Sequence, residues 1–222
     1  MKKVLTCILC MAFCLSLFAC GGPAEKPQDG PSPDTAAPSG EGGDYKFVLM
    51  APLTGNNAQY GQSYQVAMNL LVDKYNENGG INGHKVVLEV YDDKADAKES
   101  VNIATRVAED PSVLAVIGSQ TSSCSMAAAP ILQEKNILMI SPQASHVDYT
   151  GIGDCIFRTQ VTTAWENSET ARFLVESLGA KKVAVIYSSD DWGVSMLDTM
   201  SASLQELGAD VVAAETYIAS ET

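Results

Sequence analysis

Basic charge, aromatic side chains and metal ligands are all scarce in this 222-residue chain. Acidic residues outnumber basic ones by 27 to 14, giving a formal charge of −13; a surface of that sign repels a phosphate backbone, which argues against nucleic acid as a partner. Two histidines and six scattered cysteines offer few ligands for a soft metal. No CxxC is followed by a second CxxC or by HxxxH, so a zinc site is not expected. No apolar run reaches the ~20 residues that span a bilayer as a helix. What is present is 46% hydrophobic and 18% charged, an ordinary globular mixture that excludes wholesale disorder.

The N-terminus reads as an address. Met1-Lys2-Lys3 supplies positive charge, 4–18 is almost unbroken apolar sequence, and small residues surround Cys20. Removal of residues 1–19 takes two lysines and no acid, so the charge becomes −15. Residues 21–44 hold five prolines and six glycines in 24 positions without apolar periodicity, a composition that cannot offset its own ordering entropy and that acts as a tether. The expected organisation is a signal peptide over 1–19, a Pro/Gly-rich tether over 20–44 and folded chain from 45. Two cysteines then remain in the folded part, Cys124 and Cys155, and the sequence is compatible with either a disulfide or two free thiols.

From Tyr45 onward, short β-branched runs alternate with segments of helical period, the pattern of a parallel sheet covered by helices. Strands are predicted over 46–50, 86–91, 113–117, 137–140, 155–158, 183–187 and 211–217. In the first helix Tyr64, Ala67, Met68, Leu71 and Tyr75 recur at helical spacing, and Gly79-Gly80 supplies the stop. The second opens at Asp96, with Glu99 placed for a capping box, turns Val101, Ala104, Val107 and Ala108 inward, and ends before Pro111. Later helices are predicted over 125–135, 164–178 and 192–207. The fold class is α/β, a doubly wound, mostly parallel sheet with flanking helices, in which ligands lie beyond the carboxyl ends of the strands.

The loops at those ends carry the chemistry. Ala51-Pro52-Leu53-Thr54-Gly55 leads through Tyr60 to Gly61 and is no phosphate loop, because Gln62 stands where a lysine would be required. Gly118-Ser119-Gln120-Thr121-Ser122-Ser123-Cys124-Ser125 places a dense set of hydroxyls at a helix start, where unpaired N–H groups and the helix dipole favour a carboxylate; the same hydroxyls also suit the simpler task of capping their helix. Ser141-Pro142-Gln143-Ala144-Ser145-His146 follows the next strand, so two adjacent loops are expected to share one crevice. Catalytic groups are scarce: His84 reads as a solvated turn residue, His146 as a loop residue within reach of a ligand, and Asp92-Asp93 as a solvated loop before a helix cap. No nucleophile elbow or SxxK is present, so no enzymatic activity and no cofactor are expected.

Several stretches together resemble the substrate-binding lipoproteins of branched-chain amino acid ABC transporters, within the type I periplasmic binding proteins. They are Pro52-Leu53-Thr54-Gly55, Ala58-Gln59-Tyr60-Gly61, Asn78-Gly79-Gly80-Ile81-Asn82-Gly83, Asp92-Asp93-Lys94-Ala95-Asp96, Val116-Ile117-Gly118, Ala128-Ala129-Pro130, Met139-Ile140-Ser141-Pro142 and Phe157-Arg158-Thr159, in the family's order. Leu17-Phe18-Ala19-Cys20-Gly21 resembles a lipobox, which implies a diacylglycerol on Cys20 and an extracytoplasmic protein anchored to the membrane by lipid. The resemblance implies a two-lobed clamp, with an N-terminal lobe over 45–159 and the beginning of a second over 160–222, closing on an amino acid of branched-chain type and presenting it to permease subunits.

Carried over position by position, the resemblance makes Ser122 the carboxylate-binding serine and Ser145 the hydroxyl that touches carboxylate and ammonium. Gln143 becomes the position whose backbone carbonyl accepts from the ammonium, while Tyr60 and Trp192 are aromatic walls from opposite lobes. Two departures stand out. Family members are commonly longer, so the chain reads as a fragment whose acidic partner for the ammonium lies further on. Gln143 replaces a residue that is usually small, which shrinks or polarises the site and puts leucine specificity in doubt. The competing reading is a clamp-type sensor of an amide, urea or another small polar ligand; a phosphotransfer enzyme built on Asp92 and Asp93 fits poorly with an export signal and no phosphate loop.

Overall fold

The computed structural model describes residues 43–218; the expectations for residues 1–42, including the signal peptide, Cys20 and nearly all of the tether, lie outside the described residues. Strands β1 (Tyr45–Ala51), β2 (Val86–Asp92), β3 (Val113–Gly118), β4 (Leu138–Ser141) and β5 (Ile156–Arg158) form one sheet in the order β2-β1-β3-β4-β5. Every pairing is parallel, with Val48 opposite both Glu89 and Val116, and Met139 opposite Ile156. Strands β6 (Lys182–Ser188) and β7 (Asp210–Tyr217) pair in parallel as a second sheet. The helices are α1 (Ala58–Glu77), α2 (Ala97–Ala108), α3 (Ser122–Glu134), α4 (Thr163–Arg172) and α5 (Asp191–Glu206), with α4 continuing as a π-helical turn over Phe173–Ser177. This is the doubly wound α/β class expected from the alternation of strands and helices.

Burial explains the sequence pattern. In the interior strand β1, Val48, Leu49, Met50 and Ala51 are completely buried because helices cover both faces of a parallel sheet. On one face Val48, Met50, Val116 and Met139 pack with Ile103 and Val107 of α2, Leu132 of α3 and Tyr149. A smaller cluster centres on Ala171, Leu204 and Ala209 beneath the second sheet, with Leu174, Val183 and Val211 against it. The other face of that sheet is bare among the described residues, and Ile186 is 77% exposed.

The helix starts follow local chemistry. The Asp96 carboxylate accepts from the N–H groups of Lys98 (2.8 Å) and Glu99 (3.0 Å), whereas the Asp96 N–H goes to the Asp93 carbonyl at 2.8 Å, so the reciprocal half of the expected capping box is replaced by a turn. Two helical faces differ from expectation. In α2 Ser100 and Ile103 are buried alongside Ala104 and Val107, while Val101 and Ala108 are half-buried. In α1 the inward face runs through Gly61, Tyr64, Met68, Val72 and Asn76, leaving Ala67, Leu71 and Tyr75 exposed. The apolar residues of α1 occupy more than one stripe, so periodicity did not identify the face against the sheet; the close approach at Gly61 does.

Candidate functional site

Strand β1 lies between β2 and β3, and the helices after β1 and β3 leave its carboxyl end in opposite directions, which opens a crevice there. Around it the loops are cross-tied. The Asp92 carboxylate accepts from the Leu53 N–H (2.8 Å), the Thr54 hydroxyl (2.6 Å) and the Lys94 N–H (2.9 Å). Burial pushes its pKa up, but those hydrogen bonds outweigh burial and hold the carboxyl below its ordinary value. Asp93 is fully buried, accepts from the Ser119 hydroxyl and the Ala95 N–H, and joins the loop after β2 to the loop after β3. The expectation that this acidic pair is a solvated loop is therefore corrected for Asp93, an internal strut shut off from water by the converging loops, whereas Asp92 is half-buried and ties its loop to the loop after β1 near the surface.

Burial, opposed by the hydrogen bonds from Ser119 and Ala95, raises the Asp93 carboxyl above its ordinary value. A carboxyl whose folded pKa exceeds its unfolded one contributes stability below the unfolded pKa and loses it as pH climbs through the folded pKa. Asp93→Asn should therefore gain melting temperature relative to the wild type between about pH 4 and about pH 7. A difference that is the same at both pH values in scanning calorimetry contradicts this.

The two hydroxyl-bearing loops meet as expected. Thr121 caps α3, its Oγ1 accepting from the Cys124 N–H at 3.3 Å. Ser122, first residue of the helix, is 2% exposed, and its hydroxyl oxygen accepts from the N–H groups of Ser145 and His146, each at 3.3 Å. Ser141 and Ser125 both donate to the Ser119 carbonyl, at 2.6 and 3.0 Å. Arg158 braces the second loop from behind, donating to the His146 carbonyl at 2.7 Å and to the Thr150 hydroxyl at 2.9 Å. Of the N–H groups in the first turn of α3, that of Cys124 is taken by the Thr121 hydroxyl and that of Ser125 by the Thr121 carbonyl at 3.0 Å, whereas those of Ser122 and Ser123 have no carbonyl one turn back within the helix.

A cavity of about 490 Å³ occupies this crevice. Tyr60, Ser122, Gln143, Ser145 and Trp192, the residues singled out in the sequence, all line it. Tyr60 (38% exposed) comes from α1 and Trp192 (40% exposed) from α5, beside the second sheet. Two hydrogen bonds join the part of the chain bearing Trp192 to the elements around the first sheet, Thr163 N–H to the Ser145 carbonyl (2.9 Å) and Asp191 N–H to the Ser123 hydroxyl (3.3 Å), while the Thr163 and Ser195 hydroxyls link α4 to α5 at 2.7 Å.

Sequence reasoning missed Asn57, Gln120, Gln160, Glu166, Asp190 and Tyr217, which complete most of the lining. Glu166 and Asp190 are the charged members, and no lysine or arginine is among the lining residues. Asp190 was visible as a helix cap: its Oδ1 accepts from the Gly193 N–H at 2.8 Å. His146 does not line the cavity; its Nδ1 accepts from the Asp148 N–H at 3.2 Å. His84 follows the turn as expected, half-buried, and stacks on Tyr45 with ring centroids 4.6 Å apart. Cys124 is buried and Cys155 half-buried, both as free thiols, and burial pushes the Cys124 thiol up. Among the described residues no group of histidine, cysteine, aspartate and glutamate is arranged to hold a metal ion, and no helix is long and apolar enough to cross a membrane.

Residues 44–222 match the family model described as periplasmic binding protein. Over 170 residues, 76% of this chain and 46% of the relative, the sequence is 29% identical to the Leu/Ile/Val-binding protein of Citrobacter freundii. It is 32% identical, again over 170 residues covering 76% of this chain and 46% of the relative, to an amino acid binding protein of Pseudomonas aeruginosa. Among solved structures, the branched-chain amino acid transporter substrate binding protein LivJ from Streptococcus pneumoniae, in complex with isoleucine, superposes with a TM-score of 0.70 at 26% identity, covering 79% of this chain and 50% of that one. The chain thus spans about half the length of the relatives it matches.

Proposed function

The chain belongs to the periplasmic binding protein family, and from that premise we propose that it captures an amino acid outside the cytoplasm on behalf of an ABC importer. The observation that carries this reading is the cavity at the start of α3, which the buried Ser122 and Ser145 line together with Trp192 from beside the second sheet. In this reading 45–159 and 160–222 belong to two lobes of a clamp. Ser122 and the first turn of α3 hold the ligand carboxylate, Ser145 bridges carboxylate and ammonium, and the Gln143 carbonyl accepts from the ammonium, while Tyr60 and Trp192 close over the aliphatic part.

Hydrogen bonds to charged groups contribute ~1.5–3 kcal/mol each, so three or four of them suffice for micromolar affinity, about −8 kcal/mol. The names of the relatives, a Leu/Ile/Val-binding protein and an amino acid binding protein, support an amino acid as the ligand class. Titration calorimetry of the full chain without residues 1–19 against the common amino acids is the direct test; heat from none of them removes the reading.

Delivery to permease subunits belongs to the same proposal and is supported by the similarity to a branched-chain amino acid transporter substrate binding protein; anchoring through a lipid on Cys20 rests on the sequence around that residue. Cys20→Ala is expected to move the protein from the membrane fraction to the soluble fraction and to abolish its labelling by a radioactive fatty acid. Labelling that persists in this variant rules out the anchor.

A further inference from the structure

Two glutamines line the cavity on the loops that carry the serines: Gln120, immediately before the cap of α3, and Gln143, immediately after Pro142. They form one polar cluster with Tyr64 of α1. Tyr64 donates its hydroxyl proton to Gln143 Oε1 at 2.7 Å, and Gln120 Nε2 donates to the same oxygen at 3.3 Å. Both lone-pair directions of Gln143 Oε1 are thereby used, and its amide N–H groups make no hydrogen bond to a described residue. On the other side of the cluster Gln120 Oε1 is buried and has no hydrogen-bond partner among the described residues.

Gln120 Oε1 is closed off from the cavity, so the polar group that this cluster offers a ligand is the Gln143 amide, held in place through its oxygen by Tyr64 and Gln120. An aliphatic ligand side chain laid over it would cover those N–H groups without accepting from them. A carboxylate side chain is poorly suited, because the charged residues lining the cavity, Glu166 and Asp190, are themselves acidic. A side-chain carboxamide answers the need, its C=O accepting from Gln143 Nε2. Because a carboxamide holds donor and acceptor together, it satisfies the Gln143 amide in either orientation.

Building on the amino-acid-capture reading above, we infer that Gln143, positioned by Tyr64 and Gln120, selects a zwitterionic amino acid with a carboxamide side chain over one with a branched aliphatic side chain. Sites that hydrogen-bond a ligand group discriminate strongly against analogues lacking it, since the site's own polar groups are then left unpaired.

Competition calorimetry on the full chain with L-glutamine, L-asparagine, L-leucine, L-isoleucine and L-glutamate tests this. The expected order places the tighter of the two amides about tenfold or more ahead of leucine, isoleucine and glutamate. The double variant Gln120→Leu/Gln143→Ala should reverse the preference for amide over leucine. If wild-type protein binds leucine or isoleucine more tightly than both amides, this specificity is overturned while amino acid capture stands; if it binds no amino acid, both fall. The wild-type ranking decides the matter even if the double variant fails to fold.

Discussion

Ser122→Ala is expected to weaken amino acid binding by about 1–3 kcal/mol, a ~5–150-fold rise in Kd. The size follows from where the hydroxyl lies. Ser122 is 2% exposed, and its oxygen accepts from the N–H groups of both Ser145 and His146. Its proton is therefore free to be given to a carboxylate seated on the first turn of α3, in a position that little water reaches. The alanine variant loses that donor and also leaves two backbone N–H groups of the neighbouring loop without their acceptor, so the loop carrying Ser145 is less firmly placed. Both effects act on affinity, whereas the packed core beneath, built on Val116, Ala128 and Leu132, is untouched. Calorimetry should show the loss in Kd together with a fall in the melting temperature of the unliganded protein, because the Ser145 and His146 N–H groups lose their acceptor. An unaltered Kd would mean that the carboxylate sits elsewhere.

Gly61→Ala should damage stability and binding together. A Cβ at Gly61 would lie 2.0 Å from the Pro52 carbonyl oxygen and 2.6 Å from its carbon, so α1 must move off the loop after β1. Overpacking of this kind costs about 1–3 kcal/mol. For a folded unit of this size that corresponds to a fall of about 2–12 °C in melting temperature. The displacement is transmitted to Tyr60, the preceding residue, and to Tyr64 one turn further along, which holds Gln143. Affinity should fall with it. Ser63→Ala serves as the control: its hydroxyl is exposed and bonds within its own helix to the Gln59 carbonyl, so it should change neither quantity. A Gly61→Ala protein melting within about 1 °C of the wild type would show that α1 accommodates the methyl by an adjustment not evident from the backbone.

The legible features were those encoded over a few residues. β-branched runs located all seven strands, Asp96 announced the start of α2, and clustered serines after strand β3 marked the crevice. The apolar residues of α1 outnumber those a single stripe needs, so their spacing does not show which face turns inward, and the contact of Gly61 with Pro52 identifies the side that meets the loop after β1. Asp92 and Asp93 looked like an ordinary solvated turn because nothing in their neighbourhood reveals that Thr54 and Ser119, from two other loops, close around them. Gln143 was conspicuous as a long side chain in a place usually small, yet its companion Gln120 was passed over inside a run of hydroxyls.

Strand and helix positions and the loops that border the crevice thus follow from local patterns, since side-chain period and helix caps are set within a few residues of chain; strand order does not, because ladder partners such as Lys46 and Val113 are far apart in sequence. Nor does the chemistry inside the crevice. Tyr64 and Gln143 are 79 positions apart, Gln120 and Gln143 are 23 apart, and Ser122 meets Ser145 across a similar gap. Which of their polar atoms find partners, and which are left facing the cavity, depends on how three loops from three different strands converge at one edge of the sheet. That convergence is a property of the folded chain, because it comes from packing between segments that share no local sequence rule.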